Sequence, residues 1–271
     1  MRRLAALAAL VTLLLVAVGC GGSSDKSAYT GSASEANPIA QAAADTTRSG
    51  SVKVDIGISG RGVEGGGRGV FDTGTTGSGR LSMTLESNGQ PTTVDTLAQG
   101  NVLYLRSPVF QQALPAGKEW VRVDLAQLAR QQGVDLGSLV DSNPTPNAAL
   151  AYLRGSTGKV TKVGEEKVRG EQTTHYRSTI DLEQAARRAK GSTKRSIRRV
   201  IDVAEVTRLP VDVWVGEDGF VRKVRYTQHA SKNQAAKVTM ELYDFGAPVT
   251  ITPPPATTVI DFAQLLGPQG S

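Results

Sequence analysis

The chain has 271 residues, 39% hydrophobic and 21% charged, with 30 glycines and a single cysteine, Cys20. One cysteine excludes an intrachain disulfide framework, and the only histidines, His175 and His229, lie in no metal-ligand spacing, so neither a metal nor another cofactor is expected. The formal charge of +6 is a mild excess that loses two units when Arg2 and Arg3 leave with a leader, and nucleic acid is a poor partner for a chain that is exported.

Export is indicated at the start of the chain. Arg2 and Arg3 form a basic region, and Leu4 to Val18 is apolar apart from Thr12, which is the layout of a secretory signal. The run is shorter than the ~20 apolar residues that a membrane-crossing helix needs. It ends in Ala17-Val18-Gly19-Cys20, followed by the polar tether Gly21-Gly22-Ser23-Ser24-Asp25-Lys26. Residues 1–19 are therefore expected to be a leader and 20–33 a flexible tether.

The mature chain opens with a helix expected over Ser34 to Arg48, capped by Ser34 and stopped at Ser49-Gly50. Val52, Val54, Ile56 and Ile58 then alternate with polar residues and glycine, the period of a half-buried strand. The Gly-rich stretch from Gly60 to Gly69 reads as a turn or mobile loop. Short strands are expected at Val70-Phe71, at Leu81, Met83 and Leu85, at Val94 to Leu97 and at Val102 to Leu105, separated by turn signals as in an antiparallel meander.

Trp120 to Leu125 is strand-like and runs into a helix expected over Leu125 to Gln132, with Asp124 as cap and Gly133 as stop. A second helix is expected over Pro146 to Leu153. Lys159 to Val168 and Gln172 to Leu182 resume strand character, and Leu182 to Val203 reads as basic helical sequence interrupted near Gly191. Val211 to Val215, Val221 to Thr227 and Lys237 to Phe245 close the pattern, the first two joined by the hairpin signal Glu217-Asp218-Gly219. Pro253-Pro254-Pro255 is expected to end the sheet, with a short helix over Phe262 to Leu266 and a disordered tail at 267–271.

Runs of strands with helices inserted between them indicate an α+β fold: a strongly curved antiparallel half-barrel sheet with helices packed on its concave face, in a single domain over 34–266. With 5% aromatic residues, the interior is expected to be lined by Val, Leu, Ile and Met. The residues assigned to the concave face are Val54, Ile56, Ile58, Leu81, Met83, Leu85, Val213, Val215, Met240 and Leu242. They either line an apolar cavity or pack against the helices, since every sheet buries one face.

Catalytic signatures are missing. Gly65-Gly66-Gly67-Arg68-Gly69 lacks the Lys-Ser/Thr ending of a P-loop, and no Gly-x-Ser-x-Gly elbow occurs. Glu165 and Glu166 would alternate faces of a strand, so they are not a cooperating acid/base pair. The expectation is a protein that is not an enzyme.

Ala17-Val18-Gly19-Cys20 resembles a bacterial lipobox, in which the cysteine is diacylated. The order of lipobox, tether, helix and meander, followed by "GNVLYLRSP", "KEWVRVDL", "NPTPNAALAYLRGST", "VGEEKVRGEQTTHYRSTIDL", "LPVDVWVGEDGFVRKVRY" and "VTMELYDFG", resembles the LppX/LprG group of actinobacterial lipoproteins over about residues 35 to 262. That resemblance implies a fold like the LolA and LolB carriers, an acyl anchor on Cys20 at the outer face of the cytoplasmic membrane, and a lipid or lipoglycan ligand carried or presented in the envelope. A non-transporting sensor or scaffold that binds an envelope transporter or regulator is the alternative function, and a monomer is expected in either case. Arg187, Arg188, Lys190, Lys194, Arg195, Arg198 and Arg199 form the densest basic segment, and Arg195, Arg198 and Arg199 are the candidates for contacting anionic headgroups. A solvated helix face is the plainer reading of the same run.

Overall fold

The computed structural model describes residues 37–60, 62–73, 78–87, 89–127, 146–154, 159–188, 194, 197–198, 201–202, 205–231 and 234–265. Helix α1 spans Pro38–Arg48, and its start is set by Asn37, whose side chain accepts hydrogen bonds from Ile39 N (3.0 Å) and Ala40 N (3.1 Å). Asn37, not Ser34, is the cap. Pro38 follows it at the position where a missing N–H costs nothing and a fixed φ favours helix entry.

The chain then lays down five antiparallel strands in order, β1 Ser51–Gly60, β2 Val63–Asp72, β3 Gly79–Ser87, β4 Gln90–Gln99 and β5 Val102–Arg106. Of the turn or loop expected over Gly60 to Gly69, the turn lies at Gly62 (φ 80°), and Val63 to Gly69 are instead the body of β2. Its glycines carry a side-chain reason to be in a strand. A Cβ on Gly67 would lie 2.4 Å from Ser82 O and 2.5 Å from Met83 Cγ, and one on Gly65 would lie 2.2 Å from Thr84 O. Side chains of β3 lean across the inner face of β2 at Gly65, Gly67 and Gly69, which is possible only because those positions have none, and the next inward position is filled by buried Phe71. A run of inward-facing glycines is also where a sheet can bend toward its inner face.

A short helix α2, Pro108–Gln111, leads to β6, Trp120–Asp124, which pairs with β5. Asp124 Oδ1 accepts from Gln127 N at 2.9 Å, so the helix expected from Leu125 does start there, while residues 128–132 of it lie outside the described residues. Helix α3 spans Pro146–Arg154. Strands β7 Thr161–Val168 and β8 Glu171–Asp181 form a tight hairpin through Arg169 (φ 51°) and Gly170 (φ 86°). Arg169 tolerates the left-handed region because its guanidinium is held by Asp55 Oδ2 at 3.0 Å and lies over the ring of Tyr243, 3.9 Å from its centroid.

Helix α4, Leu182–Arg188, follows, and then β9 Arg208–Gly216, β10 Val221–Ser231 and β11 Gln234–Tyr243. Gly219, at φ 82°, makes the expected turn between β9 and β10. After the three prolines, a 3-10 turn at Ala256–Thr258 leads into β12, Val259–Asp261, which pairs in parallel with β6. The prolines do not end the sheet. They form a donor-free crossing segment, after which Glu119 N bonds to Thr258 O at 2.8 Å and pairing resumes. Helix α5, Phe262–Leu265, follows directly.

Among the described residues, all twelve strands belong to one open, curved sheet, ordered β12-β6-β5-β4-β3-β2-β1-β11-β10-β9-β8-β7. The fold is α+β, and every strand pair is antiparallel except β12 with β6. The join between the two runs is β1 with β11, so the N-terminal and C-terminal halves of the chain are zipped into one sheet. Helices α1 and α3 pack on each other, and α1 rests on β9 and β10.

Candidate functional site

Pairing brings the ten predicted concave-face residues onto one surface. Val54, Ile56 and Ile58 of β1 stand opposite Leu242, Met240 and Val238 of β11 on one side and Gly69, Gly67 and Gly65 of β2 on the other. Those glycines stand opposite Leu81, Met83 and Leu85 of β3. Met240 in turn faces Val224, and Val224 faces Val213, so one row crosses from β9 to β3. Val54, Ile56, Leu81, Met83, Val213, Met240 and Leu242 are buried, and Ile58, Leu85 and Val215 are partly buried against the same cluster.

This inner face extends further than the sequence reading assigned. Val94 and Ala98 of β4, Leu103 and Leu105 of β5, and Val121 and Val123 of β6 belong to it. Val94 to Leu97 and Val102 to Leu105 were legible as strands of the meander, and the pairing of β4 with β3 and of β6 with β5 puts these apolar residues on the same face. The covering side is built from Ile39, Ala42 and Ala43 of α1, Ala149, Leu150 and Leu153 of α3, and Leu182, Ala185 and Ala186 of α4. Each fully buried Val, Leu or Ile contributes about 1.5–3 kcal/mol, whereas an alanine offers only its methyl group.

Polar groups on this side are few. Thr46 of α1 is satisfied twice: its hydroxyl donates to Ala42 O at 2.7 Å and accepts from Val221 N at 2.8 Å, which ties α1 to β10. Ser178 donates to Lys159 O at 3.3 Å. The side-chain hydroxyls of Thr73, Thr96 and Ser107 are buried and have no hydrogen-bond partner among the described residues. A buried hydroxyl left unpaired costs about 1–3 kcal/mol.

The outer face carries the charge. His175 stacks on Trp214 with ring centroids 4.2 Å apart and donates from Nε2 to Asp212 Oδ1 at 2.8 Å. Trp214 Nε1 donates to Glu166, and Arg177 and Arg225 both reach Asp212. Partial burial opposes ionisation of Asp212, but the hydrogen bonds from His175, Arg177 and Arg225 outweigh it and hold its pKa below the usual carboxylate value. His175 is thus a structural partner of a buried tryptophan. Glu165 pairs with Lys162 while Glu166 turns to Trp214, so the two acids diverge.

Among the described residues no group of three or more His, Cys, Asp or Glu side chains could hold a metal ion, and no helix is long and apolar enough to cross a membrane. Cys20, Arg195 and Arg199 lie outside the described residues. Arg198 is exposed next to buried Ile197, and Arg187 pairs with Glu183 at 3.6 Å one turn away. Both arrangements fit a wetted helix face.

The family model described as LppX_LprAFG lipoprotein matches residues 34–251. A Streptomyces coelicolor protein designated a lipoprotein is 28% identical, the alignment covering 98% of this chain and 95% of that protein. An uncharacterised 31.2 kDa protein from the rplA–rplJ intergenic region of Streptomyces griseus is 31% identical over 163 residues. That match covers 57% of this chain and 52% of the relative, so the chain spans about half the length of that protein. Among solved structures, LprF from Mycobacterium bovis is similar at 17% identity and a TM-score of 0.48, over 80% of this chain and 95% of that one.

Proposed function

Because the chain belongs to the LppX_LprAFG lipoprotein family, we propose that it is a membrane-anchored envelope lipoprotein that binds the acyl chains of a lipid or lipoglycan and carries or presents them. In this reading residues 1–19 are a cleaved leader, 20–33 a tether from acylated Cys20, and 34–266 a single lipid-binding unit that works as a monomer. The observation that supports it is the continuous, mainly apolar inner face shared by β1, β3, β4, β5, β9, β10 and β11.

Binding here needs no covalent chemistry. Each acyl CH₂ moved out of water contributes about 0.8 kcal/mol, so a long chain can offset the separation of the covering helices from the sheet. The α1 stripe is Ile39, Ala42, Ala43 and Thr46, so its release exposes one large side chain, Ile39, and breaks the Thr46–Val221 bond. Acylated Cys20 would keep the unit at the membrane from which a lipid is drawn. Arg195, Arg198 and Arg199 would face anionic headgroups, and charge reversal at the three should then weaken binding to anionic vesicles at low salt.

Native mass spectrometry with lipid extraction, on the full-length protein purified from its own envelope, tests this reading. A stoichiometric acyl lipid is the expected result. A lipid-free mass together with no uptake of a fluorescent fatty-acyl probe would overturn it and favour a sensor or scaffold that binds a protein.

A further inference from the structure

Two of the unpartnered hydroxyls sit side by side in the apolar wall. Thr96 stands opposite Leu81 on β3 and Leu105 on β5, between Val94 and Ala98 on its own strand, and is 1% exposed. Ser107 continues β5 in extended conformation (φ −155°, ψ 146°) two residues beyond Leu105, which puts its side chain on the same face, diagonal to Thr96. It too is 1% exposed. Ser107 is the cap of α2, yet that role does not engage its hydroxyl: Phe110 N and Gln111 N bond to the Ser107 carbonyl at 3.0 and 3.2 Å.

Valine would fill the Thr96 position with the same shape and equal strand preference, so the hydroxyl adds only a donor and an acceptor. What it can pair with is limited by its surroundings. A hydrocarbon chain offers no acceptor, and a sugar or phosphate would bring a hydration shell against Leu81, Leu105, Val94 and Ala98. An ester carbonyl combines an acceptor oxygen with an apolar body and carries no donor that would itself need a partner.

We propose that Thr96 and Ser107 donate hydrogen bonds to ester carbonyl oxygens of the bound lipid, so that the site selects acyl esters over ether-linked chains of equal length. This deepens the lipid-binding reading and rests on it. The hydroxyls fix where the chain-to-backbone junction of the lipid sits, and the apolar rows across β3, β2 and β1 receive the chains.

The test is competition. Full-length protein is incubated with vesicles of equimolar dipalmitoyl phosphatidylglycerol and its dihexadecyl ether analogue, and the bound lipids are extracted and measured by mass spectrometry. Wild type should take the ester in roughly tenfold excess. In Thr96→Val/Ser107→Ala the ratio should fall to about one, with thermal unfolding of the lipid-free variant at or above that of wild type because two unpaired hydroxyls are gone. A wild-type ratio of one, or an ester excess that persists in the folded variant, overturns this inference alone. Uptake of neither lipid by wild type overturns the lipid-binding reading and this inference with it.

Discussion

The same residue type carries opposite consequences on the two faces of this sheet. A Cβ on Gly67 meets backbone and side-chain atoms of β3, whereas one on Gly57, on the wet face of β1, meets nothing within 4 Å. Gly67→Ala is expected to cost about 1–3 kcal/mol, because β3 must move or Met83 must leave its place. Gly57→Ala should be neutral or stabilising by about 0.4–1 kcal/mol through the unfolded chain. Denaturant midpoints of the two variants measure both, and equal losses would show that the glycines of β2 serve flexibility and not close approach. Asp212 gives a pH test of the outer face. Its pKa is depressed in the folded protein, so its contribution is present at neutral pH and is lost as the pH falls through the folded value. Asp212→Asn should destabilise at pH 7, and the gap to wild type should narrow from about pH 4, the ordinary carboxylate range, and close as the pH falls through the lower folded value. A gap that stays constant on acidification would rule out ionised Asp212 as its source.

At the scale of elements, α1 is held at two points. Asn37 caps its first turn, and Thr46 near its end bonds Val221 N on β10. Asn37→Ala should lower stability by about 1 kcal/mol, and Asn37→Asp should restore it. Thr46→Val keeps the shape but leaves a buried N–H unpaired, so a loss of about 1–3 kcal/mol is expected and Thr46→Ser should recover most of it. Hydrogen exchange at Val221 would report the same bond directly. The helix itself was legible from its alanines and Ile39, but its cap was not, since Ser34 and Asn37 are both good cap residues. Pro38 decides between them, because it occupies the first helical position after Asn37. The β7–β8 hairpin was legible as two strands, while its turn lacks the Asn-Gly signature. Arg169 takes the position that Asn would favour and is stabilised there by Asp55, Glu241 and Tyr243, residues distant in sequence.

For the molecule as a whole, β12 matters beyond its three residues. It covers the edge of β6, and Asp261 pairs with Arg122 at 2.7 Å, while Ile260, Phe262 and Leu265 pack against the core. A chain ended after Pro255 should therefore be less stable and should self-associate through the uncovered edge of β6. Light scattering and denaturant unfolding of that truncation would test it, and a monomer of unchanged stability would show that β12 is dispensable. The opposite edge, β7, is protected differently. Lys162, Glu165 and Lys167 line it with charge, so it needs no covering strand.

Three features were legible in the sequence alone: the strands that alternate, the helices rich in alanine, and the ten apolar residues that fall on one face. Those features are local, set by side-chain period and composition, and need no knowledge of neighbours. That the glycines of β2 form a strand depends on long-range packing, because their reason is the close approach of Leu85, Met83 and Leu81 from β3. Tertiary structure likewise decided that the chain re-enters the sheet after three prolines, since β12 is specified by the open edge of β6 and not by its own three residues. The pairing of β1 with β11 joins residues as distant in sequence as Lys53 and Tyr243, and it is this contact that turns two separate meanders into one continuous face.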